Sequence, residues 1–426
     1  MPASAEWANR LRSTCGKALF YSLYLSNTEG KAERAINALG SFERIFGARN
    51  NLRLVTTPGR CEISGNHTDH QNGRVLAAAV NIDMLAVVGE NDSGLVRIHS
   101  QGHKPNVVDI TSLDRQDNER GCSVSLVRGV AARMKALGYN IGGFDAYITS
   151  DVLVGSGLSS SAAFEVLVCT ILSELYNNGE PGPVARAQIS RYAENEYFGK
   201  PCGLMDQTAC ACGGFITIDF FDPASPIAEK IPFDLAGNGY TLCIVNTGGS
   251  HADLTDDYKS VPAEMHSVAE ELGKKLLREV DEALFFEQLP RLRSKLSDRA
   301  ILRAVHFFRE NERVRIQSEM LRTGDFDGFL RLINESGRSS FMYLQNVYSS
   351  SDVRHQALSV ALATAERVLG ARGAFRVHGG GFAGTIQAFV PDGLLEKFTS
   401  AMDGVFGANS VIALSVREAG SIEIII

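Results

Sequence analysis

Residues 151–163 (DVLVGSGLSSSAA) constrain this chain more than any other stretch, because a strand pattern, a glycine turn and a long apolar helix pattern follow one another with almost nothing between them. Over residues 144–149, Phe144, Ala146 and Ile148 alternate with Asp145, Tyr147 and Thr149, the period-2 pattern of a half-buried strand. Over residues 162–176, Val166, Leu167, Ile171, Leu172 and Leu175 recur at helical spacing, and Asn177, Asn178 and Gly179 supply a stop. Between the two, Gly155 and Gly157 permit backbone angles and close approaches that a Cβ forbids, while Ser159, Ser160 and Ser161 bring three hydroxyls to the helix start. Free N–H groups and the positive end of the helix dipole make such a junction a seat for a phosphate. A capped helix behind a flexible turn accounts for one Gly-x-Gly, but two glycines and three serines exceed what capping needs. No Lys follows the glycines, so the stretch is not a P-loop, and Ser160 stands where a dinucleotide fingerprint has its third Gly. Ser161 stands two residues after Ser159, where a nucleophile elbow has Gly.

With 426 residues, 44% of them hydrophobic and 21% charged, the chain is long enough for two domains of ordinary size. The formal net charge of −7 argues against nucleic acid or an anionic membrane as the main partner. Eight cysteines without a C-x-x-C pair suggest neither a zinc ribbon nor a disulfide framework, and so a reducing compartment. Glu6, Arg10, Arg12 and Lys17 sit at the N-terminal end, and the apolar run 18–25 is too short to span a bilayer. The expectation is a soluble cytoplasmic protein; oligomeric state is not legible.

Residues 1–47 read as helical, with Trp7, Leu11, Leu19, Leu23, Ile36, Leu39, Phe42 and Phe46 as packing positions and Gly47 as a stop. They show no chemistry in the sequence. Residues 57–88 hold a polar cluster, Asn66-His67-Thr68-Asp69-His70-Gln71-Asn72, between two apolar stretches. Turn formers make such a run unremarkable as a solvated loop. Pro58-Gly59-Arg60 before it and Gly73 with the apolar run 75–80 after it hold the cluster rigidly, which favours contact with a ligand. A metal reading of His67, Asp69 and His70 is weaker, since no second His or Cys cluster pairs with it. A helix is expected over 187–199 and a strand over 215–220. Between them, Asp206 sits among apolar residues, where it either caps a helix or does chemistry. Glu194, by itself, reads as an exposed helix charge. Pro223 and Pro226 mark a change to amphipathic helices, so a domain boundary falls there. Residues 376–390 (RVHGGGFAGTIQAFV) form a hairpin whose Gly379, Gly380, Gly381 and Gly384 exceed what a turn needs and point to close packing on a ligand or on the first domain.

Three glycine-containing motifs in this order, PGR…GNHTDH with VLAAAV, then VGSGLSSSAA, then GGGFAG, resemble the signatures of the GHMP superfamily of small-molecule kinases, and most closely the galactokinase family. Leu126-Val127-Arg128-Gly129-Val130, Cys202-Gly203-Leu204-Met205-Asp206-Gln207 and Asp257-Tyr258 add to the likeness, which runs from about Phe42 to the C-terminus. The resemblance implies an α/β (α+β) fold of two domains with the active site in the cleft between them: an N-terminal helical extension over 1–41, a first kinase domain over 42–221 and a second over 222–426. It implies that Gly155, Ser156, Gly157, Leu158, Ser159, Ser160 and Ser161 wrap the phosphates of ATP, with Ser161 and Glu194 as ligands of Mg²⁺. By the same resemblance Asp206 is the general base toward a sugar's anomeric hydroxyl, and Arg60 neutralises charge in the transition state. Asn66, His67, Thr68 and Asp69 then form the sugar-binding loop and Tyr258 flanks the sugar.

The chain departs from that family at Asn66, where Glu is usual, at Ala383 within the third motif, and in the N-terminal forty residues. The first departure bears on which sugar is bound. Galactose is the default substrate of the implied sugar 1-kinase, and galacturonate is the rival. A sugar-sensing regulator without turnover is disfavoured by the joint presence of Arg60, Ser161, Glu194 and Asp206, and a serine hydrolase by the missing elbow.

Overall fold

The computed structural model describes residues 3–152, 158–200, 202–249 and 254–426. Twelve strands are found among them: β1 (Arg53–Ser64), β2 (Arg74–Asn91), β3 (Leu95–Ser100), β4 (Asn106–Asp109), β5 (Gly143–Ser150), β6 (Phe215–Asp219), β7 (Ile227–Ile231), β8 (Tyr240–Asn246), β9 (Ala374–His378), β10 (Thr385–Pro391), β11 (Val411–Leu414) and β12 (Ile422–Ile424). They form an eight-stranded sheet, β12-β1-β2-β5-β3-β4 with β6 and β7 branching from β2, and a four-stranded sheet, β11-β8-β10-β9. Among the described residues the only parallel pairing is β3 with β5.

Strand β2 is 18 residues long because it serves two partners on one edge: residues 84–91 pair with β5 and residues 74–78 with β6, while β1 lines the other edge. Its alternation divides the core. Leu85 and Val87 pack with Leu11, Phe20, Leu39 and Phe42 of the N-terminal helices α1 (Ala3–Arg12), α2 (Thr14–Tyr24) and α3 (Thr28–Phe46). Ala86 and Val88 join the large cluster beneath α4 (Ser123–Ala136), α5 (Ser160–Tyr176), α6 (Pro183–Tyr192) and α7 (Met205–Cys212). A one-residue slip would exchange the two faces. The four-stranded sheet carries the helices Ala357–Leu369 and Leu395–Phe406 on a separate core, and α8 (Thr255–Glu271) packs with the long helix Asp298–Thr323.

Chain order and sheet membership do not divide at the same residues. Helix α3 runs through residue 41 to Phe46, since Leu39 and Phe42 bury together, and ends where Gly47 takes φ +84° and donates its N–H to Glu43 O. Beyond residue 221, β7 still pairs with β6, and β12 returns to pair with β1. The helix expected over 187–199 begins earlier, at Pro183, where a missing N–H costs nothing. It continues as a π-helical segment, Ala193–Phe198. Among the described residues no helix is long and apolar enough to cross a membrane.

Candidate active site

Strand β1 carries Arg60 into the middle of the molecule, and α7 presents Asp206 in its first turn. The two meet as a fork: Arg60 Nε donates to Asp206 Oδ1 at 2.7 Å and Nη2 to Oδ2 at 2.6 Å. Bidentate pairs of this kind are the strong, orienting ones. Ser159, the residue before α5, takes φ +58° and donates its hydroxyl to the same Oδ2 at 2.6 Å. Burial works to raise the Asp206 pKa, but the Arg60 charge and the hydrogen bonds from Arg60 and Ser159 outweigh it, so the carboxyl titrates below its usual range. Asp206 is thus a held, ionised carboxylate in the first turn of α7, facing the start of α5.

Two residues beyond Ser159, Ser161 Oγ donates to Glu194 Oε1 at 3.2 Å. Glu194 is 2% exposed, not a solvated helix charge. The π-helical turn that carries it aims it inward, where it also accepts from Lys200 Nζ at 3.0 Å and Gln207 Nε2 at 2.8 Å. Gln207 reaches a second buried carboxylate, Glu165 Oε2, at 3.3 Å. Burial, reinforced by the charge of Glu194, pushes Glu165 well above the ordinary carboxylate value. Ser161 and Glu194 bring together two hard oxygen donors of the kind that could hold Mg²⁺. Ser160 and Ser161 also line a cavity of about 780 Å³ with Asp151, Phe164, Lys104 and Arg34. Leu158 is buried, and its carbonyl accepts from Arg60 N at 3.3 Å. Gly155, Ser156 and Gly157 lie outside the described residues.

The polar cluster after β1 is folded onto the third motif. Asn66 is wholly buried: Nδ2 donates to Glu62 Oε1 at 2.9 Å and to Gly379 O at 2.7 Å, while Oδ1 accepts from Asn346 Nδ2 at 2.7 Å and from Ser340 Oγ at 3.4 Å. His67, at φ +60°, binds Gly380 O through Nε2 at 3.0 Å. That carbonyl requires an N–H on Nε2, which leaves Nδ1 as an acceptor in the neutral ring. Among the described residues Nδ1 is buried without a partner. Burial and the neighbouring His70 lower the His67 pKa to about 4, so the ring is neutral. Thr68 spends its hydroxyl on Gly65 O and Arg74 O within its own loop. Asp69 sits against Gly203, where an added Cβ would lie 2.3 Å from Asp69 Oδ2. Tyr258, on α8, donates to Gly381 O at 2.8 Å, and a Cβ on Gly380 would lie 2.7 Å from its ring. Gly384 takes φ +90° at the end of the turn.

The structure also brings in residues that the sequence did not single out. Glu62 follows Arg60 by two on β1, a charge inside an apolar strand, and that was its only signal. Glu310, on the long helix Asp298–Thr323, accepts from Ser64 Oγ and Gly65 N, and His306 on the same helix contacts Asn66 O at 3.0 Å. Nothing in the sequence pairs these with residues some 240 positions away. The N-terminal helices, silent in the sequence, supply Lys31, 2.6 Å from Asp151, and Arg34, which binds both Asp83 and Asp151.

The chain is similar to known proteins in sequence and in fold. Residues 125–214 match the model of the GHMP kinases N-terminal domain, and residues 40–90 match the galactokinase galactose-binding signature. The galactokinase of Streptomyces coelicolor is 32% identical over 378 residues, 89% of this chain and 94% of that protein. The galactokinase of Thermotoga neapolitana is 30% identical over 364 residues, 85% and 97% of the two chains. In fold, the chain is similar to Lactococcus lactis galactokinase complexed with galactose, with a TM-score of 0.78, 24% identity and coverage of 90% and 98%. It is also similar to Methanococcus jannaschii mevalonate kinase, with a TM-score of 0.58, 13% identity and coverage of 86% and 99%. Alike over nearly the whole length of such relatives, this chain belongs to the galactokinase family of the GHMP kinases, a family of sugar kinases.

Proposed function

We propose that this protein transfers the γ-phosphoryl group of ATP to the anomeric hydroxyl of galactose, giving galactose 1-phosphate and ADP. The observation that carries this reading is the Arg60–Asp206–Ser159 constellation at the start of α5. An ionised carboxylate there can accept the hydroxyl proton as the sugar oxygen attacks phosphorus, and a buried guanidinium beside it compensates the charge that develops. Asp206 is a weak base by its lowered pKa, which suits a proton that leaves late, once bond formation to phosphorus has made it acidic. Gly155, Ser156, Gly157, Leu158 and Ser159–Ser161 form the phosphate seat, and the adjoining cavity takes the rest of the nucleotide. Ser161 and Glu194 hold Mg²⁺, which supplies charge neutralisation on the phosphates when bound. Lys200, exposed except for its contact with Glu194, is free to turn toward phosphate. On the sugar side, His67 Nδ1 and Asp69 accept hydroxyl protons, and the third-motif glycines and Tyr258 close the wall.

The test is sugar-dependent ADP release by the full chain across a panel of hexoses with Mg²⁺-ATP. Galactose-dependent release supports the reading, and release that no sugar stimulates overturns it.

A further inference from the structure

Glu62 and Asn66 form a hydrogen-bonded pair in which only one member has anything left to offer. Both N–H groups of Asn66 are used and its oxygen accepts twice, so the loop consumes the side chain entirely. Glu62 differs. Its Oε1 accepts from Asn66 and from Arg376 Nη2 at 3.2 Å, whereas among the described residues Oε2 accepts nothing. The residue keeps 6% of its surface exposed. The strand register runs unbroken from Arg60 to Glu62, opposite Ala79 and Ala77, so the two side chains share one face of β1, the face that meets Asp206. The groups around Glu62 are Arg376 of β9, Asp69 and Asn66 of the loop, and Arg60 of its own strand. Arg60 is committed to Asp206, and Arg376 to Glu62 and Ile63 O. Among the described residues, both of these cations already pair with a carboxylate.

Building on the proposed function, we infer that Glu62 sets the charge of the substrate: its Oε2 accepts a hydroxyl of an uncharged sugar, and its own charge excludes a sugar acid. An ionised carboxylate is acceptor-only, so it can take a hydroxyl but cannot pair with a second carboxylate. Two like charges 6–8 Å apart at an effective dielectric of about 20 repel enough to cost roughly 30- to 100-fold in affinity. Selectivity thus rests at residue 62 and not at Asn66, whose part is to hold Glu62 and Gly379 in place. Burial, opposed by Arg376, pushes Glu62 up to about 7, which puts its ionisation within reach of an assay.

The experiment measures kcat/KM for galactose and for galacturonate with Mg²⁺-ATP, on wild type, Glu62→Gln and Asn66→Ala. Wild type should favour galactose by about 100-fold or more. Glu62→Gln should shrink that ratio at least tenfold through KM, while Asn66→Ala should weaken both sugars and leave the ratio within about threefold. A second measurement needs no variant: wild-type selectivity for galactose should rise with pH between 6 and 8, because Glu62 repels the acid only when ionised. Galactose turnover with a ratio unchanged in a folded Glu62→Gln, or a ratio that moves in Asn66→Ala instead, overturns this inference alone. If Glu62→Gln does not fold, a pH-independent wild-type ratio overturns it. Turnover of neither sugar by wild type overturns the proposed function and this inference with it.

Discussion

The wall of the site built from β1, α7 and the π-helical segment Ala193–Phe198 presents the charge-bearing side chains Arg60, Asp206 and Glu194, whereas a second wall, residues 379–381, presents backbone carbonyls. Each of those carbonyls is taken by a side chain from elsewhere: Gly379 O by Asn66, Gly380 O by His67 and Asn346, Gly381 O by Tyr258. Charge on the first wall can be removed by one atom's change with little effect on shape. The second wall has no charge to remove, and its content is conformation: Gly379 and Gly381 take φ of +68° and +80°, and a Cβ on Gly381 would lie 2.1 Å from Asn346 O. The first wall should therefore fail in chemistry, and the second in the placing of the sugar loop.

Breaking the first wall has the largest expected effect. Asp206→Asn should lower kcat by about 10²–10⁴-fold, the usual contribution of a positioned base, with the ATP Kd nearly unchanged by calorimetry. Breaking the second wall comes next. Gly381→Ala combines an unfavourable φ with a backbone clash and should cost about 2 kcal/mol, roughly 30-fold in kcat/KM for the sugar, read mostly as a raised KM because Asn346 and Tyr258 no longer seat the loop. A fall confined to kcat would contradict the division of labour. Ser161→Ala and Glu194→Gln should each raise the Mg²⁺ concentration for half-maximal activity about tenfold, and the double variant should cost less than the product of the two. Direct Mn²⁺ binding in the presence of ATP, followed by electron paramagnetic resonance, provides a readout apart from turnover. The smallest effect is in pH. Because Arg60 and Ser159 hold Asp206 below the usual carboxylate range, the kcat profile of wild type should show no acid limb from this residue above about pH 5. In Arg60→Gln burial is left without its main counterweight, so an acid limb should move up in the pH profile of the residual activity.

The same contrast explains what the sequence made legible. The period-2 run before residue 151, the helical spacing after it and the glycines of residues 379–384 are local patterns, so β5, α5 and the β9–β10 turn could be read directly. Asn66 was singled out by its departure from the family, but the four hydrogen bonds of its side chain end on residues 62, 340, 346 and 379, and no local pattern announces those. Glu194 read alone was an exposed charge; a π-helical turn that propensity does not encode brings it inside. The N-terminal helices had an amphipathic pattern and nothing else, yet Lys31 and Arg34 close on Asp151, just after β5. Ion pairs across more than a hundred residues depend on the topology that brings β5 beside α3, and topology was available only through the resemblance.

The central claim is that the oxygen phosphorylated is the anomeric one, activated beside Asp206, and the most direct test is the identity of the product. Wild-type protein, galactose and Mg²⁺-ATP should yield one ADP for each sugar phosphate, and ³¹P and ¹³C NMR of that product should show phosphorus coupled to C1. Phosphorus coupled to any other carbon, or ADP formed without a sugar phosphate, would contradict the account.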